Sequence, residues 1–166
     1  MIKNIIIAVL VLIAAGSLWF VVEKKPFSSN TAGSGSETPI VGDTLDLSNK
    51  GLSKVPSYVF DRTALVGLNV SNNKLDGALQ SQVGQLKNLK VLNLSNNEFT
   101  GVPAEIGQLK NLEILNLSNN KLTGLPNELG NLSNLKLLDL SGNDYSEADL
   151  AGIRAKLPAS VVIVTK

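Results

Sequence analysis

Leucine returns along most of this chain at a nearly fixed interval, and that interval limits the possible folds more than any other property of the sequence. Segments starting at Leu45, Leu68, Leu92, Leu115 and Leu138 are separated by 23, 24, 23 and 23 residues. A period of this size marks stacked supersecondary units. Leu68 and Val70, Leu92 and Leu94, and Leu115 and Leu117 alternate with other residues, which puts each pair on one face of a short strand. One unit cannot bury its pair alone, and stacking supplies the missing wall. At about 1.5–3 kcal/mol per fully buried aliphatic side chain, each unit adds several such contributions against the backbone entropy it loses. Strands of successive units then pair in parallel about 4.8 Å apart, which predicts a five-stranded sheet roughly 19 Å across.

The last four units carry Leu65, Leu68, Val70, Asn73 and Leu75; Leu89, Leu92, Leu94, Asn97 and Phe99; Leu112, Leu115, Leu117, Asn120 and Leu122; and Leu135, Leu138, Leu140, Asn143 and Tyr145. This pattern resembles the leucine-rich repeat, L-x-x-L-x-L-x-x-N-x-L, over about residues 43 to 145. The resemblance implies an α/β fold, a right-handed leucine-rich repeat solenoid with a parallel β-sheet on its concave face and short helical or 3-10 turns on its convex face. Asn73, Asn97, Asn120 and Asn143 follow the strands as a structural ladder, each side-chain amide satisfying its own turn and its neighbour's backbone. Losing one costs on the order of 1–3 kcal/mol. On the return side Pro56, Pro103 and Pro126 open short helical turns, where a missing N–H is harmless. Val59, Val83, Ile106 and Leu129 supply the inward contacts, and Gly84, Gly107 and Gly130 follow the last three.

The second unit has one extra residue and resembles the 24-residue repeats of plant receptor ectodomains, while the others look like the 23-residue form. The first unit departs most, with Lys50 in the Asn position, Arg62 where later units have Leu, and Gly42 likewise. A more polar terminal unit suits a coil with no neighbour on one side. At the other end Ser146-Glu-Ala-Asp149 reads as a capping box, Leu150, Ile153 and Leu157 line one side of a helix that Pro158 ends, and Val161 to Val164 form a short strand. Helix and strand close the open edge.

Ile5 to Val22 contains neither charge nor proline. As a helix these 18 residues reach roughly 27 Å, close to the ~30 Å hydrocarbon core, with Trp19 near one end. They read as one transmembrane helix, an uncleaved signal anchor; a signal peptide cleaved before Ser17 is the alternative. The following Gly/Ser-rich stretch cannot offset its own ordering entropy and reads as a flexible tether reaching about 20 Å. The expected organisation is a signal anchor with its flanks over 1–25, a linker over 26–39, about five repeats over 40–145 and a helix-strand cap over 146–166. The Lys/Arg count on the two sides of the span barely discriminates, but a very short N-terminal tail followed by one large domain fits export, so the repeats are expected outside the cytoplasm. The absence of the Cys-rich caps usual in secreted eukaryotic repeats of this family points to a bacterial envelope or a reducing compartment.

Composition narrows the chemistry. The chain has no Cys and no His, which removes thiolate nucleophiles, Cys/His zinc sites and imidazole bases. No Ser is paired with an activating base, and no enzyme activity, cofactor or metal site is expected. The 15 basic and 14 acidic residues nearly cancel, leaving no field to gather nucleic acid. Strand residues facing the concave side form three columns: Asp46, Asn69, Asn93, Asn116 and Asp139; Ser48, Ser71, Ser95, Ser118 and Ser141; and Thr44, Gly67, Val91, Ile114 and Leu137. An apolar stripe, Val91, Ile114 and Leu137, beside two polar columns suits a peptide or protein edge. The reading is a membrane-anchored, non-catalytic module that binds a protein or peptide. Its alternative is an adhesive surface protein for cell-wall glycan, which the lack of aromatics on that face disfavours. Four Asn-x-Ser sequons occur, at Asn69, Asn93, Asn116 and Asn131, and are read as by-products of the consensus.

Overall fold

The computed structural model describes residues 9–12, 19–22 and 42–165, in two compact units divided between Glu37 and Thr38. In the first unit, β1 (Val9–Leu12) pairs antiparallel with β2 (Trp19–Val22). These eight residues therefore do not form the expected transmembrane helix, and among the described residues no helix is long and apolar enough to cross a membrane. A largely apolar run rich in Ile, Val and Leu satisfies strand and helix equally by composition, and β-branched residues favour the strand when partners are available. The rest of 1–41, including the 26–39 linker, lies outside the described residues.

The second unit is the solenoid. Strands β3 (Asp43–Asp46), β4 (Leu65–Asn69), β6 (Val91–Asn93), β8 (Ile114–Asn116), β9 (Leu137–Asp139) and β10 (Val162–Val164) lie side by side in that order, all parallel. The sheet has six strands and not five, because the C-terminal strand joins it alongside β9. Register keeps equivalent positions opposite one another: Gly67, Val91, Ile114, Leu137 and Val162 form one row, and Asn69, Asn93, Asn116, Asp139 and Val164 another. Between those rows Leu92, Leu115 and Leu138 are fully buried, as are Leu94, Leu117 and Leu140 beyond them.

The extra residue of the second repeat has a visible consequence. There β5 (Asp76–Ala78) pairs in parallel with β7 (Glu98–Gly101), a second two-stranded sheet on the far side of the turns. The chain then returns through 3-10 turns at Ser81–Gln85, Ala104–Gln108 and Asn127–Asn131, each starting just after an extended residue, Gln80, Pro103 or Pro126. Val83, Ile106 and Leu129 point inward from these turns and are buried. Gly84 and Gly107 face the next turn, and Gly130 faces Ile153 and Lys156 at the C-terminal end. A Cβ at Gly107 would lie 2.4 Å from the Glu128 carbonyl oxygen, so only glycine permits this spacing between turns.

Both ends are closed by specific contacts. At the first coil the helix α1 (Tyr58–Asp61) replaces a 3-10 turn, and Arg62 forms a bidentate pair with Asp43 at 2.7 and 2.8 Å. Leu45, Leu47 and Leu52 remain only half-buried there, whereas their successors Leu68, Val70 and Leu75 are buried. At the other end α2 (Glu147–Arg154) lays Leu150 and Ile153 over the last repeat, and Leu157 follows. The expected capping box does not form, since Ser146 makes no side-chain cap. Asp149 instead accepts from Leu125 N–H at 3.2 Å and ties the helix to the preceding repeat. A side-chain acceptor aimed at a neighbouring coil fixes the lid to the solenoid while the helix start goes without a side-chain cap.

Candidate functional site: the exposed face of the sheet

The exposed face is set by what the strands leave after burying every second side chain. In the row nearest the strand starts, Val91, Ile114 and Leu137 are half-buried, and β10 adds Val162 in register, so the apolar stripe runs across four strands. Sequence reasoning missed Val162 because it assigned the last strand to covering an edge, and the uniformly apolar Val162–Val164 carries no alternation that would mark which side chains face outward. One residue earlier, Lys90, Glu113 and Lys136 form a charged row in which Lys136 Nζ lies 2.5 Å and Lys90 Nζ 3.9 Å from Glu113 carboxylate oxygens. Two cations around one anion leave a local excess of positive charge.

The polar columns are less free than their composition suggests. Asp46, Asn69, Asn93, Asn116 and Asp139 each accept, through Oδ1, the N–H of the residue two places on, at 2.9, 3.1, 3.0, 2.9 and 3.0 Å. Ser95, Ser118 and Ser141 also donate their hydroxyls to the same oxygens at 2.8, 2.7 and 2.7 Å. Ser71, Ser95 and Ser118 are buried, as is Asp139. This corrects the expectation of an open serine column: the chain turns sharply after each strand, and the side chain closes that turn instead of facing ligand. What remains exposed of the first column is the amide nitrogen of Asn69, Asn93 and Asn116.

The turn itself depends on a residue that sequence reasoning passed over. Asn49, Asn72, Asn96 and Asn119 are left-handed, with φ of 57, 55, 55 and 52°, and Gly142 fills the equivalent place at 67°. Asn and Gly are the residues that tolerate this region, and their interchange at one repeat position was the available signal. The next residue is the ladder. Asn120 Nδ2 donates to the carbonyls of Leu94, Leu117 and Ser118 at 3.1, 3.0 and 3.2 Å, and its Oδ1 accepts Phe99 N–H at 3.0 Å. Asn97 and Asn143 repeat that set, each joining its own turn to the preceding coil. Asn73 reaches the divergent first coil and accepts from both Lys50 and Leu52 N–H. A second ladder was overlooked: Asn88, Asn111 and Asn134 donate to the carbonyls of Thr63, Lys87 and Lys110 at 2.9, 2.9 and 2.8 Å. Its signal was the repeated Asn-Leu before each strand.

Residues 87–144 match the family model described as leucine rich repeat. These are leucine-rich repeats. Similar proteins carry them in receptors and in bacteria. Receptor-like protein 18 of Arabidopsis thaliana is 38% identical over 77 residues, 46% of this chain and 9% of that protein. A leucine-rich-repeat protein of Leptospira interrogans is 43% identical with a TM-score of 0.61, covering 66% of this chain and 28% of that one. The plant peptide hormone receptor RGFR1, solved in complex with RGF2, is 33% identical with a TM-score of 0.58, covering 68% of this chain and 18% of that one. The chain thus spans less than a third of each of these relatives. Its leucine-rich-repeat domain resembles receptor ectodomains.

Proposed function

We propose that this leucine-rich-repeat domain is a non-catalytic recognition module that binds a protein or peptide on the exposed, concave face of its sheet. The observation that carries the reading is the in-register stripe of Val91, Ile114, Leu137 and Val162 between a charged row and a column of side-chain amides. Half-buried aliphatic residues flanked by polar groups form the pattern of an interface core with its rim. A plant receptor with this repeat architecture was solved with a peptide hormone partner, which supports the same occupant class here. Five repeats and a cap make a small face, so modest single-site affinity gains from confinement near a surface.

Confinement comes, in this reading, from residues 5–22. In hydrocarbon every backbone polar group needs an internal partner, and a two-stranded hairpin leaves both outer edges open, so spanning a bilayer would require these residues to exchange the paired strands described above for a helix. The repeats would then stand on the extracytoplasmic side, joined through the 26–39 tether, and the Leptospira relative favours a bacterial envelope. Protease added to intact cells should remove the repeat domain; its full protection would contradict the topology.

Binding is tested with the double variant Val91→Asp/Ile114→Asp. Two carboxylates in the stripe should weaken capture of a partner by at least tenfold in a pull-down with full-length protein, while the far-UV spectrum stays unchanged. Equal capture would remove the sheet face from consideration.

A further inference from the structure

Resting on the sheet-face reading, we infer that the face selects acceptor-rich, acidic peptides, because the middle of its polar column, Asn69, Asn93 and Asn116, offers hydrogen-bond donors whose partner oxygens are already engaged. Backbone N–H groups fix the orientation of these amides: only Oδ1 can accept the N–H of Ser71, Ser95 and Ser118, so Nδ2 of Asn69, Asn93 and Asn116 points away from the turn. At Asn93 and Asn116 the serine hydroxyl takes the second lone pair of the same oxygen, which leaves no acceptor there. Among the described residues these three Nδ2 groups donate to nothing, and the one buried side-chain polar atom without a partner is Tyr145 Oη, so the amides reach solvent. Successive strands space them about 4.8 Å apart.

Carbonyl and carboxylate oxygens match such a row, and a carboxylate gains more because charge-assisted hydrogen bonds are about twice as strong as neutral ones. On the other side of the apolar stripe, Lys90 and Lys136 are exposed around the single Glu113 and add positive charge. Asp46 and Asp139 bound the column, so an anionic group is favoured over its middle, between β4 and β8. The occupant that satisfies all three features is an extended segment with aliphatic or aromatic side chains over the stripe and Asp or Glu between them. Over that middle, a lysine-rich segment would meet donors with donors.

The same column supplies the test. Asp occupies it at 46 and 139 with the turn hydrogen bonds intact, so Asn93→Asp with Asn116→Asp keeps those bonds and replaces two donors by acceptors. A random dodecapeptide library displayed on phage is selected on immobilised full-length protein in detergent, and the recovered peptides are measured against variants. The inference expects Asp and Glu enriched and Lys and Arg depleted, with affinity at least tenfold weaker for Asn93→Asp/Asn116→Asp and for the surface pair Lys90→Glu/Lys136→Glu. The lysine pair decides if the asparagine pair fails to fold. Enrichment of basic or uncharged peptides, or unchanged affinity for these variants, overturns the inference. If Val91→Asp/Ile114→Asp alone abolishes binding, the sheet face stands and the acidic preference falls. Insensitivity to every variant, or no recovered peptide, overturns both.

Discussion

Replacing Asn120 by Ala removes the acceptor of Phe99 N–H and the donor to three carbonyls in one step, all at a buried position. The expected loss is about 1–3 kcal/mol, from backbone groups left unpaired away from water, and urea denaturation measures it. Its neighbour Asn119 is governed by backbone and not by burial. With φ at 52°, Asn119→Gly should stay within about 0.5–1 kcal/mol of the parent, as Gly142 already shows that conformation, while Asn119→Val should cost about 1–3 kcal/mol. Charge at the surface behaves differently again. Glu98 accepts a hydrogen bond from Lys121 at 2.7 Å, and that contact with the lysine charge holds its carboxyl below the usual value. A depressed pKa in the folded state contributes stability that is present above the ordinary glutamate range and is lost as pH falls through the lower folded value. Because the pair is open to solvent, it shows in the titration and hardly in stability. Lys121→Ala should raise the Glu98 pKa in a carboxyl-detected NMR titration, and an unmoved titration would contradict the assignment.

At the scale of elements, the spacing of the convex turns is decided by glycine. Gly107→Ala puts a Cβ against the Glu128 carbonyl and should destabilise by about 1–3 kcal/mol, as overpacking does. Gly124→Ala is the internal control, since its nearest atom, Asp149 Oδ2, would be 3.6 Å away. Equal stability of the two variants by chemical denaturation would mean that the turns can slide apart. The lid depends on cavity terms: Ile153 is fully buried under the last repeat, and Ile153→Ala should cost about 2–5 kcal/mol. That helix also shows how a local rule yields to a tertiary one. Ser146 and Asp149 have the spacing of a reciprocal cap, but the Leu125 N–H offers Asp149 a better use.

For the whole molecule, the leucine period alone made the solenoid, its inward-facing strand residues and the asparagine ladder positions legible. Periodicity reports on burial, and burial is what stacking coils share. It is silent about which exposed polar groups are already bonded. Asn93 and Ser95 look like two ligand-facing residues in a string of letters; in three dimensions they close one turn and leave a single N–H₂ outward. It is also silent about the end of the stack, where Val162–Val164 adds a sixth strand and lengthens the stripe. At the other extreme, an apolar run without alternation gives length and composition only, so Val9–Leu12 and Trp19–Val22 were not legible as strands. Recognition belongs, in this reading, to the face formed by β4, β6, β8, β9 and β10. Methyl-resolved NMR of the full-length protein, with a selected peptide carrying a paramagnetic tag, tests this most directly. Broadening should centre on Val91, Ile114, Leu137 and Val162; broadening centred on Leu125 and Val102 at the convex turns, with those four untouched, would move recognition off the sheet face.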